Sequence, residues 1–338
     1  MDLNLRSSLT EVLLIEDVSQ IGYARRVAQK LAERIGFDAT DAGRVALVVT
    51  ELASNLLKHA GRGELHLRTL PRGEFQAIEV LAVDRGKGFD LHACLPDGFS
   101  TRGTQGIGLG AVYRQAQVFD VYSDSRGTVI LVRFFQRSDT ARDQRFGVSQ
   151  HSLHNDPACG DVWGLSVKDQ RISALIIDGL GHGEDAERAG LAGASAFYLD
   201  PFATPTLLLE DMHYAMKGTR GGALALAHFD GGNDVLRFVG IGNIGACIID
   251  AEKSRGLASH PGIVGLQYRK AQVFEYPDVK GQLLIMYSDG LQSRWNLRDY
   301  PGLMLRHPAV IAALLHRDYS RGRDDVTVLV VALETSHA

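Results

Sequence analysis

Residues Glu51–Leu67, which read ELASNLLKHAGRGELHL, join a helix to a strand and decide how the first half of the chain folds. Their apolar residues recur at helical steps before the Gly-Arg-Gly turn and alternate with polar residues after it. Traced backwards, the helical period predicts a helix that begins after Asp38 or Thr40, both N-cap residue types, and ends at about Ala60. A second amphipathic helix is predicted over 18–34.

Four short segments around this stretch have strand periodicity and end at Gly or Asp, which indicates one sheet covered by the two helices. They are 64–69, 75–83, 118–123 and 128–135. Residues 136–145, QRSDTARDQR, then lose their apolar side chains, as is typical of an exposed connection. We therefore predict a first domain over 10–136 and a second over 145–333.

The second half is rich in strands and has helices in its connections, which predicts an α+β sandwich. Its predicted strands are 161–167, 172–178, 222–229, 235–240, 246–250, 282–287 and 326–331. Its predicted helices are 185–198, 204–216 and 308–316.

The composition supports two globular domains and excludes several partners. The chain has 338 residues, 45% of them hydrophobic and 22% charged, and a net charge of -4. This balance provides no global basic field for nucleic acid or an anionic membrane. The three cysteines (Cys94, Cys159 and Cys247) fit neither a disulfide framework nor a zinc site. With no signal peptide and no long apolar run, we expect a cytoplasmic protein without membrane or nucleic-acid partners.

The helix of the opening stretch carries a polar face whose side chains could bind a metal ion. Glu51 and Asn55 lie one helical turn apart, and either Lys58 or His59 shares their face. A carboxylate beside a carboxamide suits a hydrated magnesium ion with a general base next to it. The alternative is an ordinary solvated helix face.

Two glycine-containing segments follow. Asp84, Gly86 and Gly88 end a hydrophobic strand, where a carboxylate could accept a hydrogen bond from an exocyclic amine such as that of adenine. A plain turn is the alternative reading. Farther on, four glycines within 103–110 precede a helix, and the amides of such a loop could cradle phosphates.

Residues 106–111 also match the dinucleotide fingerprint, and Asp124 lies near the expected acidic position. That fingerprint must follow a buried strand within a βαβ unit, whereas 95–105 is polar and turn-like. The context therefore argues against a dehydrogenase.

In order and spacing, Glu51-x-x-x-Asn55, Asp84-x-Gly-x-Gly, Gly106-x-Gly-x-Gly and Gly127-Thr128 resemble the N, G1, G2 and G3 boxes of GHKL-type ATPase domains. The chain lacks a phosphoacceptor-histidine hairpin, and ELASNLLKHAGRGELHL is similar to the serine/threonine switch kinases of the RsbT and RsbW class. The resemblance covers about 10–136 and implies a GHKL ATPase α/β sandwich that binds Mg-ATP.

This resemblance also implies roles for individual residues. Asn55 would ligate magnesium and Glu51 would polarise the acceptor hydroxyl. Asp84 and Thr128 would hold adenine, and the loop 106–110 would close over the phosphates. The implied cofactor-binding residues are Asn55, Asp84, Gly86, Gly88, Gly106, Gly108, Gly110 and Thr128.

Four aspartates of the second half each lie where a predicted strand begins or ends: Asp161, Asp178, Asp289 and Asp324. Converging strands could place these carboxylates around divalent cations and leave room for water. A two-metal centre would then hydrolyse a phosphate ester without a protein nucleophile. A single Asp-Gly pair is usually a turn, but four beside strands are harder to explain in that way.

The strings CGD, DGLGHGEDA, GIGN, YSDGL and RDDVTVLVV occur in the order found in the metal-dependent PPM-type phosphatases of the SpoIIE and RsbX branch, which this half resembles over about 145–333. The resemblance implies a PPM-type α-β-β-α sandwich with two Mn²⁺ or Mg²⁺ ions. Asp178 would act as the catalytic bridging ligand, joined by the Gly179 carbonyl. The remaining implied metal ligands are Asp161, Asp289 and Asp324.

The chain departs from the family pattern in two respects. Many larger PPM enzymes carry an acidic pair at the first ligand motif, whereas Asp161 stands between glycine and valine. No arginine occupies an early phosphate-clamping position, so Arg220 and Arg323 are candidates on charge alone. His182 is left outside the catalytic set because packing beside the loop explains it equally well.

The two resemblances together imply a bifunctional regulator that phosphorylates and dephosphorylates a STAS-domain phosphoprotein in a partner-switching or stressosome pathway. A second hypothesis makes the first half an ATP-binding adaptor that docks on a STAS protein or sigma-factor regulator without transferring phosphate. A third, a degenerate phosphatase that acts as a scaffold, is disfavoured because all four aspartates are present. The oligomeric state is not predicted.

Overall fold

The computed structural model describes residues 3–6, 10–72, 75–89, 108–136, 143, 145–269 and 271–334. The chain divides into two compact units. The first unit contains Thr10–Gln144 and Arg298–Leu314, and the second contains Met1–Leu9, Arg145–Leu297 and Leu315–Ala338. No helix of the described part is long and apolar enough to cross a membrane.

Strand β1 (Leu3–Arg6) belongs to the second unit. Among the described residues, the first unit has a five-stranded antiparallel sheet in the order β2-β3-β4-β6-β5. The elements are β2 (Glu11–Ile15), α1 (Val18–Arg34), α2 (Ala39–Asn55), β3 (Gly63–Arg72), β4 (Phe75–Val83), α3 (Leu109–Gln115), β5 (Val118–Asp124) and β6 (Gly127–Phe135).

Local side-chain hydrogen bonds fix where the two long helices begin. The Asp17 carboxylate accepts the Ser19 N–H at 2.8 Å and forms a capping box with Gln20. The Asp38 carboxylate accepts the Asp41 N–H at 2.7 Å, which confirms the first of the two predicted N-caps of α2. The helical path ends at Ala60 as predicted, but its last five residues form a π turn.

The first unit has its main core between the helices and one face of the sheet. Ala28 of α1 and Leu52 of α2 are fully buried there with Leu65, Val80 and Val132 from three neighbouring strands. Burial of each leucine or valine side chain stabilises the fold by about 1.5–3 kcal/mol. This packing fixes α2, and therefore Glu51 and Asn55, on the sheet.

The opposite face of β6 is also buried, since every residue of Gly127–Phe135 is shielded from solvent. The segment Arg298–Leu314 belongs to the same unit and contacts strand β5 and the turn after it. Arg126 donates a hydrogen bond to the Asp299 carbonyl at 2.7 Å, and its guanidinium lies 3.7 Å from the ring centroid of Tyr300. The first unit therefore includes chain from both halves of the sequence.

A buried ionic network, which we call the Glu79 network, lies on that second face. Glu79 accepts hydrogen bonds from Arg68 and from Arg133 Nε, the latter at 2.8 Å. Arg133 Nη1 also donates to Asp143 at 2.8 Å, and His307 Nε2 lies 3.0 Å from the other Asp143 oxygen. Burial opposes ionisation, but the two guanidinium groups hold the pKa of Glu79 below its usual value.

Asp143 shows that the connection predicted as exposed is fixed at one point. Its side chain is only 17% exposed, because Arg133 and His307 hold it. Although burial raises the pKa of a carboxyl group, Arg133 and His307 lower that of Asp143 to about 2. The expectation of an exposed residue is therefore wrong at this position, since its partners are distant in sequence.

The described part of the second unit contains two antiparallel sheets, in the orders β1-β8-β9-β10-β11-β16 and β13-β12-β17-β18-β7, and a short β14-β15 hairpin. In chain order after β1, the first of these elements are β7 (Phe146–His151), β8 (Asp161–Lys168), β9 (Arg171–Gly179), α4 (Glu184–Phe197), α5 (Pro205–Ala215) and β10 (Gly222–Asp230). The elements that follow are β11 (Val235–Ile241), β12 (Gly245–Ile249), β13 (Ser254–Gly256), β14 (Gly262–Ile263), β15 (Gln267–Tyr268), β16 (Phe274–Pro277), β17 (Leu283–Tyr287) and β18 (Val326–Ala332). Helix α6 (Pro308–Tyr319) begins in the first unit and ends in the second, because the division falls after Leu314.

A polar link within the apolar interior joins the two sheets. The buried Trp163 on β8 donates to the Gln150 side chain on β7 at 3.1 Å. The Gln150 amide donates in turn to the Asp161 carbonyl at 2.6 Å. This link fixes the start of β8, where the first of the four aspartates lies. Helices α4 and α5 pack on the first sheet through Phe197, Leu208 and other core residues.

Two of the three cysteines lie in the part of the chain that the structure describes. Cys159 and Cys247 are buried free thiols, and Cys94 lies outside the described residues. Burial raises the pKa of the Cys247 thiol to about 12.

Candidate functional sites

The first candidate site is built where β4 ends beside β6. Asp84 follows β4, and its carboxylate accepts the N–H groups of Gly86 at 2.7 Å and Thr128 at 3.1 Å. The Asp84 N–H donates to the Thr128 carbonyl at 2.9 Å. The structure thus brings together the two residues for which the family resemblance implies adenine binding.

A tight turn carries the two glycines after Asp84. Gly88 has φ +68, and a Cβ on it would lie 2.2 Å from the Asp124 carbonyl oxygen, so this position requires glycine. The next amide, of Phe89, donates to Ser123 Oγ at 2.8 Å, and Ser123 Oγ lies 3.1 Å from Thr128 Oγ1. Ser123 was not predicted as a site residue, because its partners come from other elements and no local motif marks it.

The π turn brings the end of α2 to this turn. A Cβ on Gly86 would lie 2.9 Å from the Ala60 Cβ, so the two backbones approach closely. Glu51 and Asn55 lie one turn apart just before the π turn, a deformation often found at functional sites. Burial raises the pKa of Glu51, and Lys58 opposes this effect. A carboxylate with a raised pKa is a better proton acceptor near neutral pH.

The predicted phosphate loop is described only at its end. Gly108 is the N-cap of α3 and has an extended backbone, while Gly110 lies in the first turn of that helix rather than in a loop. Gly106 lies outside the described residues.

The second candidate site forms where several strands of the second unit begin or end. Asp161 and Asp178 are direct partners on the antiparallel strands β8 and β9, so their side chains share a face of the sheet. Asp161 is buried and accepts the Ser288 hydroxyl at 2.6 Å. Asp178 accepts the backbone N–H of Asp289, which couples the end of β9 to the segment after β17.

The pKa directions show that these carboxylates lie in one another's electrostatic field. Burial raises the pKa of Asp178 to about 7, and the charges of Asp289 and Asp324 add to this effect. Burial and then Asp178 raise the pKa of Asp161 well above its usual value. Burial raises the pKa of Asp324, with Asp289 contributing. All four predicted aspartates therefore converge, although they are separated by up to 163 positions in sequence.

A fifth aspartate, Asp325, holds the cluster together. Its two carboxylate oxygens accept the backbone N–H groups of Leu153 at 2.7 Å and Gly160 at 2.6 Å. Asp325 therefore fixes the start of β18 against the residue before Asp161. The signal in the sequence was the Asp-Asp pair, but the sequence does not show which member points inward. Asn243, from the GIGN string, donates to Asp289 at 2.5 Å.

The chemistry of this donor set fits a divalent cation. Magnesium and manganese prefer carboxylate oxygens, and a bound cation would relieve the mutual repulsion that raises these pKa values. Among the residues that the structure describes, no three His, Cys, Asp or Glu side chains are grouped tightly enough to hold a metal ion. The fit rests on donor type and charge.

Gly290 offers a test of how tightly the site is packed. A Cβ on this residue would lie 2.0 Å from the Asp325 carbonyl oxygen, and both neighbouring segments carry carboxylates of the cluster. We expect Gly290→Ala to lower the free energy of unfolding by about 1–3 kcal/mol or more through overpacking. Thermal unfolding measures the effect. Gly256→Ala is the matched control, since nothing lies within 4 Å of its Cβ position; equal midpoints for the two variants would contradict the packing described.

Comparison with known proteins identifies the first unit. Residues 15–134 match the family described as histidine kinase-like ATPase domain. The serine/threonine-protein kinase RsbT of Bacillus subtilis (strain 168) is 32% identical over 101 residues, which cover 30% of this chain and 76% of that protein. Through this unit, the chain belongs to the RsbT family of histidine kinase-like ATPase domains.

Solved structures identify the fold of the rest of the chain. One similar chain comes from a structural study of the bacterial stressosome, described as a modular system that has been adapted to control secondary messenger signalling. It is 24% identical with a TM-score of 0.53, and the match covers 56% of this chain and 99% of that one. RsbX in complex with magnesium is 19% identical, with a TM-score of 0.50, over 56% of this chain and 96% of that one. The C-terminal region has the PP2C-type phosphatase fold, so both fold predictions are confirmed.

Proposed function

We propose that this chain is a bifunctional signalling regulator that adds and removes one phosphate mark. The first unit would transfer the γ-phosphate of Mg-ATP to a serine or threonine of a STAS-domain protein. The second unit would hydrolyse phosphoserine or phosphothreonine. The observation that carries the proposal is the convergence of Asp161, Asp178, Asp289 and Asp324 on a PP2C-type fold.

In the proposed phosphatase, the four aspartates hold two Mn²⁺ or Mg²⁺ ions, with the Gly179 carbonyl as a further ligand. The ions, when bound, would activate a water molecule and neutralise charge on the phosphoryl group. The chain supplies the positioning. Ser288 orients Asp161, Asn243 orients Asp289, and Asp325 fixes the strand ends between them. No side chain is required as a nucleophile.

In the proposed kinase, Asp84 and Thr128 bind the adenine and Asn55 holds the magnesium ion of ATP. The Asp84 carboxylate is already fixed by two backbone amides, so its acceptor geometry is set before the nucleotide binds. Glu51, one helical turn before Asn55, would polarise the acceptor hydroxyl. Its raised pKa suits this role.

The test measures both reactions on one STAS-domain protein encoded near this gene. Phosphate release from the phosphorylated substrate should require Mn²⁺ or Mg²⁺ and stop when a chelator is added. Transfer of labelled γ-phosphate is measured in an Asp178→Ala background, which prevents removal of the mark, and should disappear with Glu51→Ala. Release without transfer would leave an ATP-binding adaptor fused to a phosphatase, and absence of release under all metal conditions would contradict the phosphatase.

A further inference from the structure

The loop after Asp178 is exposed and lies beside the carboxylate cluster. Residues 180–183 connect β9 to α4, and Gly181 and Gly183 have φ +88 and +78, which L side chains rarely adopt. Leu180, Gly181 and His182 are exposed. His182 also lies in the electrostatic field of Asp324, so the loop faces the cluster. A substrate that approaches Asp178 from solvent would pass this loop.

The Arg220 side chain lies against this loop and comes from the segment just before the neighbouring strand. It lies just before β10, where Gly222 pairs with Gly179 and Ala223 pairs with Asp178. Its Nη1 lies 3.2 Å from where a Cβ on Gly181 would be, so the guanidinium occupies the space that a side chain there would need.

The backbone and the guanidinium of Arg220 are both fixed. The Gly221 N–H donates to Thr219 Oγ1 at 3.0 Å, and the Gly221 carbonyl accepts the Leu180 N–H at 2.9 Å. The guanidinium donates through Nη2 to Asp185, also at 3.0 Å. A long side chain held at both ends loses less conformational entropy when it binds a ligand.

Arg220 retains both positive charge and hydrogen-bonding capacity. The Asp185 carboxylate is shared with Arg188, whose Nη2 lies 3.0 Å from the other oxygen, so one negative charge faces two positive charges. Within the described residues, Nη2 is the one Arg220 donor with a protein acceptor, and the side chain is 48% exposed. An arginine fork with unused donors matches the geometry of phosphate oxygens.

We propose that Arg220 binds the phosphoryl oxygens of the substrate, a phosphomonoester dianion, at the mouth of the carboxylate cluster. This inference rests on the proposed phosphatase function and adds its substrate-binding residue. Arg220 would also offset the negative charge of the aspartates, which otherwise repel a dianion. It contacts the substrate and is not required to move a proton.

The experiment compares Arg220→Ala and Arg220→Lys with Arg188→Ala, which removes the other partner of Asp185. The first readout is calorimetric titration of inorganic phosphate in the presence of Mg²⁺. We expect Arg220→Ala to weaken phosphate binding at least about 10-fold, as for a lost charge-assisted hydrogen bond. Arg220→Lys should retain part of the affinity. Arg188→Ala should stay within about twofold of the wild type, because it removes only an exposed ion pair within helix α4.

The second readout is hydrolysis of a phosphopeptide, in which Arg220→Ala should raise KM more than it lowers kcat. Equal phosphate affinity for Arg220→Ala and Arg188→Ala would overturn the inference, as would an unchanged KM with a reduced kcat. Arg220-dependent phosphate binding without hydrolysis by the wild type would contradict the proposed function and leave the binding role of Arg220 intact.

Discussion

Asp178→Asn is expected to lower metal-dependent phosphate release by on the order of 10³-fold or more, while ATP binding by the first unit stays unchanged. The substitution keeps the shape of the side chain and removes its negative charge. Asparagine cannot serve as an anionic ligand to two cations, and Asp178 is the member of the cluster that both Asp289 and Asp324 influence. The measurement is the rate of phosphate release at saturating Mn²⁺, together with equilibrium ATP binding.

The matched control is Asp211→Asn, an equivalent loss of charge on the exposed face of α5 in the same unit. It should leave both measurements within about twofold of the wild type. If Asp178→Asn retains the wild-type rate, hydrolysis depends on another centre. If it loses ATP binding as well, the two sites are not independent. A manganese titration of the variant distinguishes loss of the cation from loss of a later step.

Much of the fold could be predicted because its signals are local. The apolar period of 18–34 gave both ends of α1, and strand alternation located β4 at its observed bounds. In the second half, the predicted strands and helices all appear within three residues of their predicted ends. Strands β1, β2, β7 and β13–β16 were not predicted. They are two to six residues long, and such short segments carry little periodicity; FGVSQH in β7 also adjoins a charged connection.

The candidate sites were predictable only in part, because several of their contacts join residues far apart in sequence. Asp161, Asp178, Asp289 and Asp324 could be selected because each lies at a strand end, and the structure brings them into one electrostatic cluster. The residues that orient them could not be selected. Ser288, Asn243 and Asp325 act through partners 46–172 positions away, and no spacing rule relates such positions.

The division of the chain illustrates the same limit. Charge composition marks a connection near 136–145, but it does not reveal that Arg298–Leu314 is part of the first unit. The contacts responsible are single partners such as Arg126 with Asp299 and Asp143 with His307. A fragment that ends at residue 136 would lack them, so the first unit should be studied in the full chain.

Glu79→Ala is expected to lower the free energy of unfolding of the first unit by about 3–5 kcal/mol, the usual effect of removing one partner from a buried ion pair. Glu79 is the carboxylate that both Arg68 and Arg133 share, and all three side chains are almost completely buried. The variant would leave two guanidinium groups with insufficient counter-charge. Because a domain has only about 5–15 kcal/mol of stability, this loss is a large fraction of the total.

The measurement is urea unfolding of the full chain, monitored through the loss of ATP binding, which reports on the first unit. Glu79→Gln should be less destabilising than Glu79→Ala, because it keeps the side-chain volume and one acceptor oxygen. The control is Glu16→Gln, whose partner Arg62 lies 3.8 Å away with both side chains exposed. An exposed pair contributes less than about 1 kcal/mol. Equal midpoints for Glu79→Ala and Glu16→Gln would mean that the buried network does not stabilise the unit.

The same network predicts an acid-sensitive contribution to stability. The pKa of Asp143 is about 2 in the folded chain and 3.8 without its partners, so folding favours the ionised form. Its contribution is fully present above pH 3.8 and is lost as the pH falls from 3.8 toward 2. This difference corresponds to about 2 kcal/mol, since one pKa unit is about 1.4 kcal/mol. Asp143→Asn should therefore destabilise the first unit at pH 7 and reduce the pH dependence of its stability between pH 4 and pH 2. Urea unfolding midpoints measured across that range test this expectation. An unchanged pH dependence would mean that Asp143 does not contribute to the loss of stability in acid.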